Sequence, residues 1–277
     1  MEEKSNLARR VLAAAVFGPI LLILFWLGGL FLLVGICFIV SAGTWEYFKM
    51  QEIKGLQPWS GLGVAASFVW CAFVGLLGTA SIPFLLIGLI LLVFCFGLTT
   101  AENRLNRIQS TLTGVLYVAG LASVSLLVRQ FSFSHWSPTE STYCAILILL
   151  GIWVSDILSY FSGLWFGKRH PFPNISPGKT WAGFTGGLLG AIACICAGAI
   201  YWNLFTPWQA LGLGWVVGIG SPLGDLVESM IKRDAGVKDA SGLIPGHGGI
   251  LDRFDSFLFV YPLAFFYLLA LRSYPWF

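Results

Sequence analysis

The chain has 277 residues, 57% of them hydrophobic and only 10% charged, with a formal net charge of +3 and a mean hydropathy of +0.82. Soluble domains carry ~25% charged residues, so this composition excludes an ordinary soluble domain and indicates a polytopic membrane protein. No nucleic-acid partner is expected.

Apolar stretches long enough to cross a ~30 Å hydrocarbon core, about 17–25 residues each, are predicted at 11–28, 29–44, 61–79, 81–99, 111–129, 143–166, 183–203, 208–231 and 253–271. The expected fold is therefore all-α, with about nine transmembrane helices. Met1–Arg10 followed by apolar residues imitates a secretory signal. The apolar run from 11 to 44 is far longer than the ~7–15 residues of a signal core, so an uncleaved first hairpin is expected, with a hinge at Gly28-Gly29. With the N-terminus in the cytoplasm, fourteen of the sixteen Lys and Arg residues fall in cytoplasmic segments, and only Arg129 and Arg272 lie outside. That asymmetry satisfies the positive-inside rule and favours an odd number of spans.

The remaining scaffold features have plain readings. Cys37, Cys71, Cys95, Cys144, Cys194 and Cys196 lie in apolar segments without a Cys-x-x-Cys spacing, as expected of packing residues. Trp45, Trp59, Trp181, Trp202 and Trp208 sit near span ends like interfacial anchors. Gly183, Gly186, Gly187 and Gly190 form small-xxx-small pairs that let helices approach closely. There is no internal repeat and no soluble domain. A single membrane-embedded domain over 1–277 is expected, with 1–140 mainly scaffold and 141–277 the catalytic half.

Eleven ionisable residues lie between Ser221 and Ser256, between two apolar spans. Charge at a membrane boundary is costly and usually functional. Asp225, Glu228, Ser229, Lys232 and Arg233 follow one another at i, i+3, i+4, i+7 and i+8, which puts them on one helix face. Asp252, Asp255 and Ser256 repeat the device, as do Asp156, Ser159 and Tyr160 in the sixth span. Carboxylates gathered in this way repel unless a cation separates them, and oxygen ligands of this kind suit Mg²⁺ held partly by substrate phosphate. The interleaved Lys and Arg residues are suited to a polyphosphate. Gly246, Gly248 and Gly249 lack the Cβ that would keep their backbone amides from an anion. The pattern points to nucleotidyl or phosphoryl transfer. A purely structural role, in which charges cap helices and snorkel, accounts well for Asp234 and Lys238.

These residues resemble a known family. The run Ser229-x-Ile231-Lys232-Arg233-x4-Lys238-Asp239-x-Ser241-x2-Ile244-Pro245-x-His247-Gly248-Gly249-Ile250-x-Asp252-Arg253-Phe254-Asp255 is similar to the signature of phosphatidate cytidylyltransferases, or CDP-diacylglycerol synthases. Asp156-x3-Tyr160, Phe166-Gly167-Lys168, Ile175-Ser176-Pro177-x-Lys179-Thr180-Trp181-x-Gly183 and Ser221-Pro222-x-Gly224-Asp225 extend the likeness. Residues 1–140 share mainly their hydrophobicity. The resemblance implies a membrane enzyme that transfers CMP from CTP to phosphatidic acid with Mg²⁺, releasing pyrophosphate, and it implies a homodimer. By that resemblance Asp225, Asp252 and Asp255 hold metal, with Glu228 and Asp156 as further candidates. Lys179, Lys232, Arg233, Lys238 and Arg253 bind phosphate, Ser176, Thr180 and Ser229 supply hydroxyls, and His247 with Gly248 and Gly249 completes the substrate site. Many members of the family have Lys and Glu where this chain has Gly178 and Ala182, so no role is carried over to those positions.

Gly178-Lys179-Thr180 imitates the end of a phosphate-binding P-loop, but Pro173 stands where that motif needs its first glycine. Asn174-Ile175-Ser176 is a glycosylation sequon placed in the cytoplasm by the predicted topology. An alcohol phosphotransferase consuming CDP-diacylglycerol would begin its site with Asp-Gly, a pair absent from the chain. A CTP-dependent lipid-alcohol kinase and a cation-coupled transporter remain as alternatives. The transporter needs a polar pathway to the opposite face, where only Arg129, His135 and Glu140 stand out. The expected location is a bacterial inner membrane, with the site open to cytoplasmic CTP and sideways to lipid.

Overall fold

The computed structural model describes residues 17–241 and 248–273; His247, with Pro245 and Gly246, lies outside the described residues. Ten α-helices follow in order: α1 (Phe17–Leu27), α2 (Gly29–Ile53), α3 (Ser60–Leu77), α4 (Ile82–Leu98), α5 (Arg104–Gly114), α6 (Val124–Gln130), α7 (Pro138–Phe166), α8 (Trp181–Tyr201), α9 (Pro207–Asp234) and α10 (Leu251–Ser273). Among the described residues no β-strand forms. The breaks have local causes. Gly28 (φ 62°) and Gly29 (φ 49°) adopt left-handed backbone between α1 and α2, a region open to glycine at little cost. α7 begins with a capping box, in which the Ser137 N–H donates to Glu140 at 2.5 Å.

Among the described residues, seven helical stretches are long and apolar enough to cross a membrane: Gly29–Ile53, Ser60–Leu98, Arg104–Gln130, Pro138–Phe166, Trp181–Tyr201, Pro207–Asp234 and Leu251–Ser273. The chain is thus a multi-pass membrane protein, and the expected nine spans are corrected to seven. α1 in its described extent is shorter than the ~17 residues a crossing needs. The two spans read at 61–79 and 81–99 belong to one 39-residue stretch. At Gly78 (φ 68°) the α-helix breaks, but a 3₁₀ turn, Gly78–Ser81, follows at once, and the Ser81 hydroxyl donates to the Gly78 carbonyl at 2.7 Å. Backbone groups among apolar residues must be satisfied internally, so no polar loop marks this break.

The chain folds into two compact units. One takes the described residues up to Leu127 together with Ile231–Phe254; the other takes Val128–Met230 and the described residues from Asp255 onward. In the first, Phe48 of α2 lies fully buried against two helices: a methyl group added at Gly63 of α3 or at Gly114 of α5 would strike its ring. Thr44 donates to Ser67 across α2 and α3 at 3.1 Å, fully buried. Between α5 and α6 the helix widens into a π turn at Val115–Gly120, where Val115, Val118 and Ala119 are buried.

In the second unit α7 and α8 pack at close range, as the glycine pairs predict. A methyl at Gly186 or Gly187 would collide with the Ser162 or Ser159 hydroxyl, and one at Gly183 would come within 2.9 Å of the Ser159 carbonyl. Gly214 and Gly218 of α9 approach the backbone of α8 at Ile192 and Leu188. Tyr261 of α10, fully buried, donates to the Ala145 carbonyl of α7 at 2.9 Å. The six cysteines are all free thiols.

Candidate active site

In the second unit the acidic residues come from three helices. Asp225 and Glu228 stand one turn apart on α9, and Asp255 stands in the first turns of α10. One carboxylate oxygen from each of these three lies within 4.8 Å of the others. The approach depends on Gly224: a Cβ there would run into the Asp255 carbonyl and come within 2.9 Å of the Ser256 Cα. The Ser256 hydroxyl also ties α10 to α9, donating to the Ser221 carbonyl at 3.0 Å. Glu228 is fully buried. Lys179, from the loop before α8, forms an ion pair with Asp225, and the Ser229 hydroxyl donates to the same carboxylate at 3.2 Å. Asp255 accepts the Ser256 N–H at 2.6 Å. Asp156 of α7 accepts the Ser221 hydroxyl at 2.7 Å and lies within electrostatic range of Asp225, Asp255 and Lys179.

Three carboxylates with one lysine leave an excess of negative charge in a partly buried place. Hard oxygen donors on two adjacent helices suit a small divalent cation, which prefers few protein carboxylates and completes its shell with water and substrate phosphate. The cluster can therefore hold a metal. The loop before α8 has its own order: the Lys179 N–H donates to the Ser176 carbonyl at 3.2 Å. Thr180 caps α8, its hydroxyl oxygen accepting the Gly183 N–H at 3.1 Å.

The first unit holds the other half of the charged segment. Asp252, in the first turn of α10, has each oxygen engaged. One accepts the Lys232 ammonium at 2.6 Å; the other accepts the backbone N–H of Gly249 at 2.6 Å and of Ala240 at 3.0 Å. Gly248 has φ 78°, and a Cβ there would lie 2.5 Å from the Asp252 carboxylate. The Gly249 amide, expected to be open to a substrate anion, donates here to the protein's own Asp252 carboxylate. Arg233 donates to the Val237 carbonyl at 3.4 Å, and Lys238 and Arg253 are exposed.

Sequence reasoning missed Glu46. It lies on α2, fully buried, and accepts the backbone N–H groups of Ile250 at 2.9 Å and Leu251 at 2.7 Å together with the Ser241 hydroxyl. Its signal was present: it stands just past the apolar stretch predicted at 29–44, among Trp45, Tyr47 and Phe48, and charge at a membrane boundary is functional or paired as a rule.

Comparisons with known proteins agree with this chemistry. A phosphatidate cytidylyltransferase of Synechocystis sp. (strain ATCC 27184 / PCC 6803 / Kazusa) is 33% identical over 291 residues, covering 95% of this chain and 97% of that protein. One from Staphylococcus aureus (strain COL) is 32% identical over 265 residues, covering 91% and 94%. One from Staphylococcus epidermidis (strain ATCC 12228 / FDA PCI 1200) is 31% identical over 263 residues with the same coverage. The model of the cytidylyltransferase family matches residues 8–271, so this multi-pass chain, with its acidic cluster and paired lysines, belongs to the cytidylyltransferase family.

Proposed function

We infer that the chain is a phosphatidate cytidylyltransferase, transferring CMP from CTP to phosphatidic acid to give CDP-diacylglycerol and pyrophosphate. The observation that carries this reading is the cluster of Asp225, Glu228 and Asp255 with Lys179, in a chain whose family match runs from 8 to 271.

The phosphatidate oxygen is already ionised at neutral pH, so no side chain has to create the nucleophile. The difficulty is bringing two anions together for in-line attack on the α-phosphorus of CTP. Asp225, Glu228 and Asp255 would hold Mg²⁺, which would supply neutralising charge for the phosphates and for the leaving pyrophosphate. Lys179 neutralises Asp225 and stands beside the acidic cluster, where its ammonium would bind a substrate phosphate. Lys232, Arg233, Lys238 and Arg253 bind phosphate, Arg by fixed bidentate contacts and Lys as a mobile point charge. Ser176 and Ser229 donate hydroxyls, and Thr180 adds its hydroxyl proton while its oxygen caps α8. His247 orients or donates to phosphate. Asp156 lends its charge to the cation site from α7. Asp252, already carrying Lys232 and two amides, sets the place of that lysine.

The catalytic half is 141–277 and the earlier spans mainly support it. The enzyme works as a homodimer in a bacterial inner membrane, with its N-terminus and CTP site on the cytoplasmic side. The division of basic residues supports that orientation. In a cysteine-free background, Asn174→Cys is expected to resist an impermeant thiol reagent in intact cells and Ser137→Cys to react; the reverse pattern would invert the topology. Activity is tested with CTP labelled at the α-phosphate, phosphatidic acid and Mg²⁺. Label should pass into lipid with release of pyrophosphate. Release of CDP with phosphate transfer to a lipid alcohol would instead identify a kinase.

A further inference from the structure

Three consecutive backbone N–H groups at the entry to α10, those of Gly249 and Ile250 just before it and of its first residue Leu251, are all taken by carboxylates. Asp252 takes the first at 2.6 Å, and Glu46 takes the second at 2.9 Å and the third at 2.7 Å. A helix N-terminus leaves its first amides without helical partners and favours negative charge. Here the charge arrives from α2, about 200 residues away in sequence. Glu46 also receives the Ser241 hydroxyl, so one side chain holds Ser241 as well as the backbone at Ile250 and Leu251. A buried carboxylate is expensive unless hydrogen-bonded, and Glu46 is fully buried. Structure alone would be served more cheaply by an apolar residue and a local cap.

The geometry also leaves no room for adjustment. A Cβ at Gly249 would lie 2.6 Å from the Glu46 carboxylate, and one at Gly248 would lie 2.5 Å from that of Asp252. The two glycines let the backbone at 248–249 come close to both acids. Asp252 in turn holds the Lys232 ammonium at 2.6 Å.

We propose that Glu46 is a positioning residue for CMP transfer: its carboxylate fixes the backbone at 249–251, and through it the orientation of Asp252 and of the Lys232 ammonium that Asp252 carries. Glu46 touches no substrate. Its influence on the reaction passes through Asp252, and the proposal rests on the cytidylyltransferase reading for its kinetic consequence alone.

The test uses the full-length protein purified in detergent. Glu46→Gln keeps the size of the side chain, removes the charge and turns one acceptor into a donor that faces an N–H. Amide hydrogen exchange at Gly249, Ile250 and Leu251 should speed up by at least about tenfold, with protection elsewhere retained. Turnover should fall by at least about thirtyfold while KM for CTP and for phosphatidic acid stays within about threefold, because small misplacements of a charged group cost rate more than binding. In Glu46→Gln/Asp252→Asn the loss should not exceed that of the worse single variant by more than about threefold, since both act through one arrangement. Independent, multiplying losses would overturn the proposal, as would parental turnover, or unchanged exchange at these amides. If Glu46→Gln does not fold, Ser241→Ala, which removes the hydroxyl donor to Glu46, should give the same kinetic split at about threefold; parental turnover there would overturn it. The exchange measurement needs no turnover, so a failure of the assigned reaction is told apart from a failure of the positioning role.

Discussion

Two groups of carboxylates, each built around one fully buried glutamate, sit in the two units, and they are built in opposite ways. In the second unit Asp225, Glu228 and Asp255 face one another within 4.8 Å, with Lys179 paired to Asp225. In the first, Glu46 and Asp252 face donors, namely four backbone amides, a hydroxyl and the Lys232 ammonium. Acids that face acids concentrate negative charge and invite a cation. Acids that face amides spend their charge on holding backbone. The same side-chain chemistry thus forms a cluster that could hold a metal in one unit and a set of carboxylates bonded to backbone amides in the other, and the partner atoms make the difference.

Charge removal at the facing acids should break the comparison most severely. Asp225→Asn and Asp255→Asn are each expected to lower turnover by at least about a hundredfold, roughly 2.7 kcal/mol of transition-state stabilisation. Thermal stability should be unchanged or improved, because the change relieves repulsion. Near-parental turnover of both folded variants at saturating Mg²⁺ would show that the cluster holds no catalytic cation.

Spacing between the helices comes next. Gly224→Ala would push a methyl against the backbone of Asp255 and Ser256, which cannot rotate away. Overpacking of this kind costs about 1–3 kcal/mol. The melting temperature should drop by several degrees and turnover by about tenfold, both measured on the same detergent-purified sample. A variant that melts lower yet turns over normally would separate the helix contact from the reaction.

The lysine of the acidic cluster should show itself in binding. Lys179→Met is expected to raise KM for CTP by about tenfold with kcat within about threefold, since a contact already made in the ground state affects binding more than turnover. A pure kcat effect would place Lys179 at the reacting centre instead.

Smaller still is the effect of restoring the family's acidic residue in the first turn of α8. Ala182→Glu should change turnover by no more than about tenfold, or 1.4 kcal/mol. A much larger gain would identify this chain as a weakened member. The ion pair of Lys54 with Asp234, exposed at its ends, marks the lower limit: Lys54→Ala should alter stability by less than about 1 kcal/mol, read as a shift of no more than a few degrees in melting temperature.

Much of this was legible in the residues alone. The stripe Asp225, Glu228, Ser229 follows from helical period, and all-α membrane architecture follows from apolar run length. The glycine pairs of α8 announced a close helix contact, and the structure places them against Ser155, Ser159 and Ser162. The number of spans was read too high because hydropathy does not register how a break is closed: Gly78 interrupts α3, and a bonded 3₁₀ turn carries the chain on into α4 without a polar loop.

The division between Asp252 and Asp255 was beyond the sequence. They sit three residues apart on one helix, and the resemblance implies a metal-binding role for both, but they have different neighbours: Lys232 and two amides for the first, Asp225 and Glu228 for the second. Glu46 was passed over for the same reason, since its partners at 241, 250 and 251 are distant in sequence. Composition, run length and helical period are local quantities, and by themselves they determined the membrane class, the helices and the acidic and basic residue types that the family's reaction needs. Which acids face one another and which face backbone donors was decided by tertiary structure. A carboxylate's role depends on the donors and charges within a few ångströms, and those are delivered by close helix approach at residues such as Gly224 and by contacts spanning most of the chain.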